Sequence, residues 1–208
     1  MRREYPLDNR CVIIETERLI LRKYVHEDLE PLLEILSDKE NMLYYPSVYD
    51  ESGARRWLDW CFDSYDKSGF GLWAMELKES GEFIGDCGLT MQNIEDDILP
   101  EIGYHINKRY WRRGYAKEAA RAVRDWAFQN TDFDAVYSYM KYSNAPSYYT
   151  ALSVGMKKIK EYPDPDDVVC YVYRITRSEW RELVCESMVG SAPVDAAFYA
   201  IVAESEQG

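Results

Sequence analysis

The chain has 208 residues, 47% of them apolar and 30% charged, with a formal net charge of -12. That length and apolar fraction suit one globular domain with a full core, or one domain with an appendage. An acidic balance argues against nucleic-acid binding, which shows as a basic face, and is compatible with cationic partners. Met1 to Arg10 lack an apolar core, and no uninterrupted apolar run approaches the ~20 residues that span a bilayer, so a soluble, unexported protein without membrane contact is expected. Cys11, Cys61, Cys87, Cys170 and Cys185 show no Cys-x-x-Cys spacing, and His26 and His105 are the only imidazoles. Neither a disulfide framework nor a metal site is expected, and the expected compartment is a reducing cytoplasm.

Ile13 to Arg22 reads as an extended opening strand, with aliphatic residues closing in at Leu19 to Leu21. Leu29, Leu32, Leu33 and Leu36 recur at helical spacing, and Ala54, Trp57, Leu58, Cys61 and Tyr65 repeat it, which predicts two helices. Phe70 to Leu77 and Glu82 to Gln92 are β-rich runs joined by a hairpin turn at Glu79-Ser80-Gly81. The acidic stretch Glu95-Asp96-Asp97 reads as a solvated loop. A third run, Glu101 to Ile106, leads through Lys108, Arg109, Arg112 and Arg113 into a helix. Ala116, Ala119, Ala120, Val123, Trp126 and Ala127 form a stripe on that helix that should pack on a sheet. Ala135 to Met140 is a strand and Asn144 to Val154 a short helix. Met156 to Ile159 and Val168 to Ile175 are closing strands, with Pro163 and Pro165 between them. Beyond Trp180, Ser191-Ala192-Pro193 reads as an N-cap and early-turn proline opening a helix through Val202. That helix is apolar nearly all round, so it should be buried on its own domain or on a second subunit.

A strand that runs through a basic turn into a helix has the geometry of an anion site, because a helix start leaves backbone N–H groups unpaired and carries partial positive charge. Gly114 has no Cβ to hold a ligand off, and Ala116 adds only a methyl group. The turn Trp111-Arg112-Arg113-Gly114-Tyr115-Ala116 resembles the acyl-CoA pyrophosphate turn of the GCN5-related N-acetyltransferases (GNAT), Gln/Arg-x-x-Gly-x-Gly/Ala, with Trp111 at the leading position. The opening Glu15-Thr16-Glu17-Arg18-Leu19-Ile20-Leu21-Arg22, and Trp111 itself, resemble the branch that acetylates ribosomal-protein N-termini; Arg112 stands where that branch often has Gly. Asn144-Ala145-Pro146-Ser147 followed by Gly155-Met156 is similar to the family's second motif.

The resemblance implies an α/β fold of the GNAT type, a mixed central sheet flanked by helices, with an extra C-terminal helical tail. The N-acetyltransferase domain would occupy residues 1–178, and residues 179–208 would be an extension packing on the domain or on a partner subunit, a homodimer being one arrangement. It implies acetyl-CoA as acyl donor, no metal, and transfer to a primary amine, either a protein N-terminus or a small molecule, by direct attack in a ternary complex. By resemblance Tyr104, His105 and Ile106 lie on a strand with a bulge that splays from its neighbour and offers backbone groups to the cofactor. Trp111, Arg112, Arg113, Gly114, Tyr115 and Ala116 would hold the pyrophosphate, and Asn144 and Ser147 would face the pantetheine arm and thioester sulfur. Many members place a Tyr seven residues after that Asn to protonate the leaving thiolate, and this chain has Ala151. A non-catalytic acyl-CoA-binding sensor or assembly module is the alternative from a different class.

Amine acetylation needs a neutral nitrogen, and lysine-type amines have an ordinary pKa near ~10.4, so a group must take a proton. Glu101 is the candidate base, its plain alternative being an edge carboxylate that solubilises a strand. His105, of a type that titrates near ~6.5, is a second candidate, against the alternative of a packed ring. Ser147 is the candidate catalytic hydroxyl at the leaving sulfur, with Tyr148, Tyr149 or a water as substitutes. Capping accounts equally well for Asn144 and Pro146. Tyr44 and Tyr45, in a loop, and Phe70 are candidate substrate contacts, whereas Trp73 reads as core.

Overall fold

The computed structural model describes residues 11–163 and 168–189. Eight strands, β1 (Val12–Glu15), β2 (Leu19–Arg22), β3 (Leu72–Leu77), β4 (Phe83–Ile94), β5 (Asp97–Ile106), β6 (Ala135–Lys141), β7 (Lys157–Pro163) and β8 (Val169–Thr176), form one sheet in the order β1-β2-β3-β4-β5-β6-β8-β7. The helices are α1 (Leu29–Leu36), α2 (Glu51–Ser68), α3 (Tyr115–Asn130), α4 (Ala145–Ser153) and α5 (Arg177–Val189). Neighbouring strands are antiparallel except β5 and β6. The sheet is therefore mixed, as expected. Among the described residues no helix is long and apolar enough to cross a membrane.

The opening run is two strands rather than one. At its corner the Thr16 N–H donates to the Leu19 carbonyl at 2.9 Å and the Leu19 N–H to Thr16 Oγ1 at 3.0 Å, so a side chain takes up backbone groups that a straight strand would leave to a neighbour. The acidic stretch at 95–97 is likewise no free loop. Ile94 pairs with Asp97 across a tight turn in which Glu95 adopts a φ of 61°, and this extends β5 back to Asp97. The hairpin turn after β3 falls where the sequence places it, with Gly81 at a φ of 70°. Asp50 starts α2 three residues ahead of its first periodic apolar residue by accepting the Gly53 N–H at 2.8 Å.

Strand alternation decides which side chains can meet. Trp73 faces α3, 4.8 Å from the Trp126 ring, and Ala119, Ala120, Val123 and Ala127 of the predicted stripe are buried. The opposite face carries Asp86, Glu101 and His105 towards α2, where the Trp57 ring lies 5.1 Å from His105. On that face a buried Arg22 bridges Asp28 and Glu76 at 2.7 and 2.6 Å. Trp180 fixes α5 to α3 by stacking on Phe128 and donating to Asp125 Oδ1 at 2.8 Å. The helix expected to open at Ser191 lies outside the described residues.

The parallel pair is the loosest junction of the sheet. β5 and β6 share one pairing, Glu101 with Tyr137, and then part. The ladder of β5 with β4 is unbroken from Ile94–Asp97 to Gly85–Ile106. The expected splay is therefore present, whereas the expected bulge is absent from that ladder. Where β5 and β6 part, the Tyr139 N–H favours the ionised form of the Glu101 carboxyl.

Candidate active site

A cleft of roughly 1180 Å³ is lined by the ends of both parting strands, the start of α3, the loop at 40–46 and one flank of α2. It brings together Tyr44, Tyr45, Glu101, Tyr104, His105, Ile106, Trp111, Arg112, Gly114, Tyr115, Ala116, Asn144 and Ser147. Phe70 and Arg113 are not among its lining residues.

On the basic-turn side, the first intrahelical bond of α3 runs from the Glu118 N–H to the Gly114 carbonyl at 3.0 Å, and among the described residues no side chain caps the helix. The N–H groups of Tyr115, Ala116 and Lys117, which line the cleft, precede that bond. Arg112 and Gly114 adopt left-handed φ values of 61° and 83°, so the turn folds into a concavity of backbone donors suited to an anion. Arg18 props the turn from below. Its Nη1 donates to the Arg113 carbonyl at 3.0 Å, its Nε to Glu118 Oε2 at 2.6 Å, and its guanidinium lies 4.5 Å over the Tyr115 ring. Burial alone would raise the Glu118 carboxyl, but hydrogen bonds from Thr16 and Arg18 hold it below its ordinary range. The Arg113 side chain corrects the expectation for it: its guanidinium lies over Tyr110, 5.3 Å away, and only its carbonyl serves the turn. Trp111 Nε1 donates to the Ile106 carbonyl at 2.7 Å, so that carbonyl is engaged by the protein itself.

On the α4 side, the Tyr104 hydroxyl sits 2.9 Å from the Ser147 carbonyl and 3.0 Å from Ser147 Oγ. Burial pushes the phenol well up, against the hydrogen bonds of Ser147 and Thr150. Asn144 Oδ1 accepts the Ser147 N–H at 3.2 Å, so its capping role is realised. Ala151 is buried, and Tyr148 and Tyr149 do not line the cleft.

On the third side, burial pushes the Glu101 carboxyl up to about 7, although the Tyr139 N–H, His105 and the Thr90 hydroxyl all favour its ionised form. A Cβ at Gly103 would meet Leu72 Cδ2 at 3.6 Å and Glu101 Oε2 at 3.7 Å, ordinary contact distances, so the floor beside the carboxyl has room for a methyl group. His105 presents its side chain here, two strand repeats from Glu101 with Gly103 between them, and not on the Tyr104 face. Its Nδ1 bonds Asp86 Oδ1 at 2.8 Å, its Nε2 bonds the Tyr45 hydroxyl, and the Tyr24 hydroxyl donates to Asp86 Oδ2 at 2.8 Å. Burial alone would lower the imidazole, yet the charge and hydrogen bond of Asp86, with Glu101 adding, leave it above its ordinary value. With its ring only 9% exposed and Tyr45 bonded to Nε2, His105 is a held ring. Phe70 is corrected to core: it packs edge-on against Trp126 and Phe133, at 6.5 and 5.9 Å, on the α3 face.

Sequence reasoning missed Arg18, Glu118, Asp86, Thr90 and Trp57. Two of these were within reach. Counting outward from the turn at 95–96 pairs Thr90 with Glu101 and Asp86 with His105. Arg18 and Glu118 meet across 100 residues, a distance no local pattern spans.

A family model described as an acetyltransferase (GNAT) domain matches residues 18–157. The chain is 35% identical over 154 residues to the uncharacterized protein YkkB of Bacillus subtilis (strain 168), covering 72% of this chain and 90% of that one. It is 30% identical over 145 residues to the uncharacterized N-acetyltransferase p20 of Bacillus licheniformis, with 69% and 81% covered. Among solved structures, an acetyltransferase from Agrobacterium tumefaciens str. C58 superposes with a TM-score of 0.70 at 26% identity, covering 84% of this chain and 99% of that one.

Proposed function

Because the chain belongs to the GNAT acetyltransferase family, we propose that it transfers an acetyl group from acetyl-CoA to a primary amine by direct attack in a ternary complex. The observation that carries this reading is one cleft holding both an unpaired helix start, fit for a pyrophosphate, and a carboxyl pushed up to about 7. The N–H groups of Tyr115, Ala116 and Lys117, with the charge of Arg112, would hold the donor's phosphates. Glu101 would take a proton from the acceptor ammonium, directly or through water, leaving a lone pair to attack the thioester carbonyl carbon. The C–N bond forms, the C–S bond breaks, the attacking nitrogen gives up its second proton to the departing thiolate, and CoA leaves as the thiol beside the Ser147 hydroxyl that Tyr104 holds. A thiol of ordinary pKa ~8.5 leaves tolerably near neutrality, so the loss of a tyrosine at Ala151 does not block the step.

The opening strand and turn that resemble the ribosomal-protein branch make a peptide N-terminus one acceptor within this reading, and a small amine is the other. Calorimetric titration with acetyl-CoA, CoA and ATP, followed by thiol release with a panel of amines, tests it. Glu101→Gln should lower turnover by about 10²-fold while acetyl-CoA affinity stays within about twofold; an unchanged rate would remove Glu101 from the mechanism. Ala151 favours the second reading, a non-catalytic acyl-CoA-binding module, which requires tight CoA binding without thiol release for any amine.

A further inference from the structure

The third side of the cleft has a chemistry of its own. Among the described residues, the acids lining the cleft are Glu40 and Glu101. Glu40 is engaged by Lys108 at 3.2 Å, which leaves Glu101 as the one carboxylate without a cationic side chain of the turn upon it. Arg56 and Lys141 also line the space and oppose a second positive charge. The rest of this side is a run of rings. Tyr45 and Trp57 both lie 5.1 Å from His105, and Trp57 continues to Tyr49 and Trp60 at 5.9 and 5.8 Å. Leu43, Tyr45 and Trp60 line the cleft and yet stand 65%, 37% and 38% exposed, large apolar surface for a molecule to cover.

We propose that the acceptor is a small monoamine carrying an aromatic group, taken in preference to a polyamine or a peptide; this rests on the acyl-transfer reading above. The ring stacks along Tyr45, Trp57 and Trp60, and the ammonium sits at Glu101, favoured also by the faces of the neighbouring rings. A polyamine brings further charges that need carboxylates, and the lining offers cations instead. A peptide brings backbone donors and acceptors that need partners along their length, and the run from Tyr49 to Trp60 offers rings.

The test titrates 2-phenylethylamine, spermidine and a short alanine-leading peptide into full-length protein saturated with CoA, in parallel with acetylation assays on the same three amines. Expected is binding of 2-phenylethylamine at least about tenfold tighter than either competitor, with Trp60→Leu weakening it about fivefold while CoA affinity is unchanged. Tighter binding of spermidine or the peptide, no binding of 2-phenylethylamine, or an indifferent Trp60→Leu variant would overturn the proposal. Selective binding without acetylation would sink the acyl-transfer reading and leave the aromatic-amine site standing. Acetylation of spermidine or the peptide in preference to the arylamine would do the reverse.

Discussion

As the proposed base, Glu101 would couple stability and activity in opposite directions. Its folded-state pKa of about 7 lies above the 4.5 of an ordinary glutamate, so folding favours the protonated form. That contribution is fully present below pH 4.5 and is lost as pH climbs through about 7, on the order of 3 kcal/mol at about 1.4 kcal/mol per pKa unit. Glu101→Gln should therefore unfold at higher urea than the parent at pH 8 and at the same urea at pH 4, while losing acetylation at pH 8. With the parent protein, kcat/KM for the amine should rise with pH through about 7, and the Gln variant should show no such limb. Glu101 was legible because it heads the β-rich run, Glu101 to Ile106, that leads into the basic turn resembling the family motif, although the strand itself begins at Asp97. Asp86 and Thr90 were within reach only by counting pairs outward from the turn at 95–96, and Tyr24 was not, since its bond to Asp86 joins residues 62 positions apart. Phe70 misled for a related reason: aromatic character says that a ring will be buried, not on which face.

At the level of elements, the start of α3 is held from two directions, and each gives a prediction. Arg112 adopts a φ of 61°, which costs a residue with a Cβ roughly 1–2 kcal/mol. Arg112→Gly should raise the unfolding free energy by about 1 kcal/mol and still weaken CoA binding several-fold, because the guanidinium lining the cleft is lost. If affinity rises instead, Arg112 obstructs the turn. Arg18 lies outside the cleft lining, yet it bonds the Arg113 carbonyl and Glu118 together, so Arg18→Leu should weaken CoA binding about tenfold through a loosened turn. Lysine, which keeps the charge without the fork, should restore little of it. Helical periodicity found α1 to α4 and the stripe on α3, because an amphipathic face is written into local spacing. The strand expected to end at Ile159 runs on to Pro163, which pairs with Val169. Two other places where strands were misjudged, the corner at Thr16 and the turn at Glu95, share a cause. Each is a tight reversal made without glycine, by a side chain that takes backbone bonds in one case and by a residue at positive φ in the other.

The molecule as a whole carries a net charge of -12, while the cleft gathers Arg112, Lys117 and the helix start at one end and Glu101 at the other. The two substrates of the proposed reaction have opposite charges, so the long-range field should treat them oppositely. An anionic CoA approaches against the net charge and is captured by contacts a few ångströms away; a cationic amine is drawn in by the net charge and meets one carboxylate. Raising ionic strength from 0.01 to 0.1 M shortens the screening length from about 30 to about 10 Å, which erases the long-range part and leaves close contacts largely intact. Stopped-flow measurement should then find CoA associating several-fold faster at the higher salt with little change in its dissociation rate. The amine's KM should rise over the same range. A CoA association rate that falls with salt would mean that the basic turn dominates the field well outside the cleft, and the acidic balance of the chain would then have no part in sorting donor from acceptor.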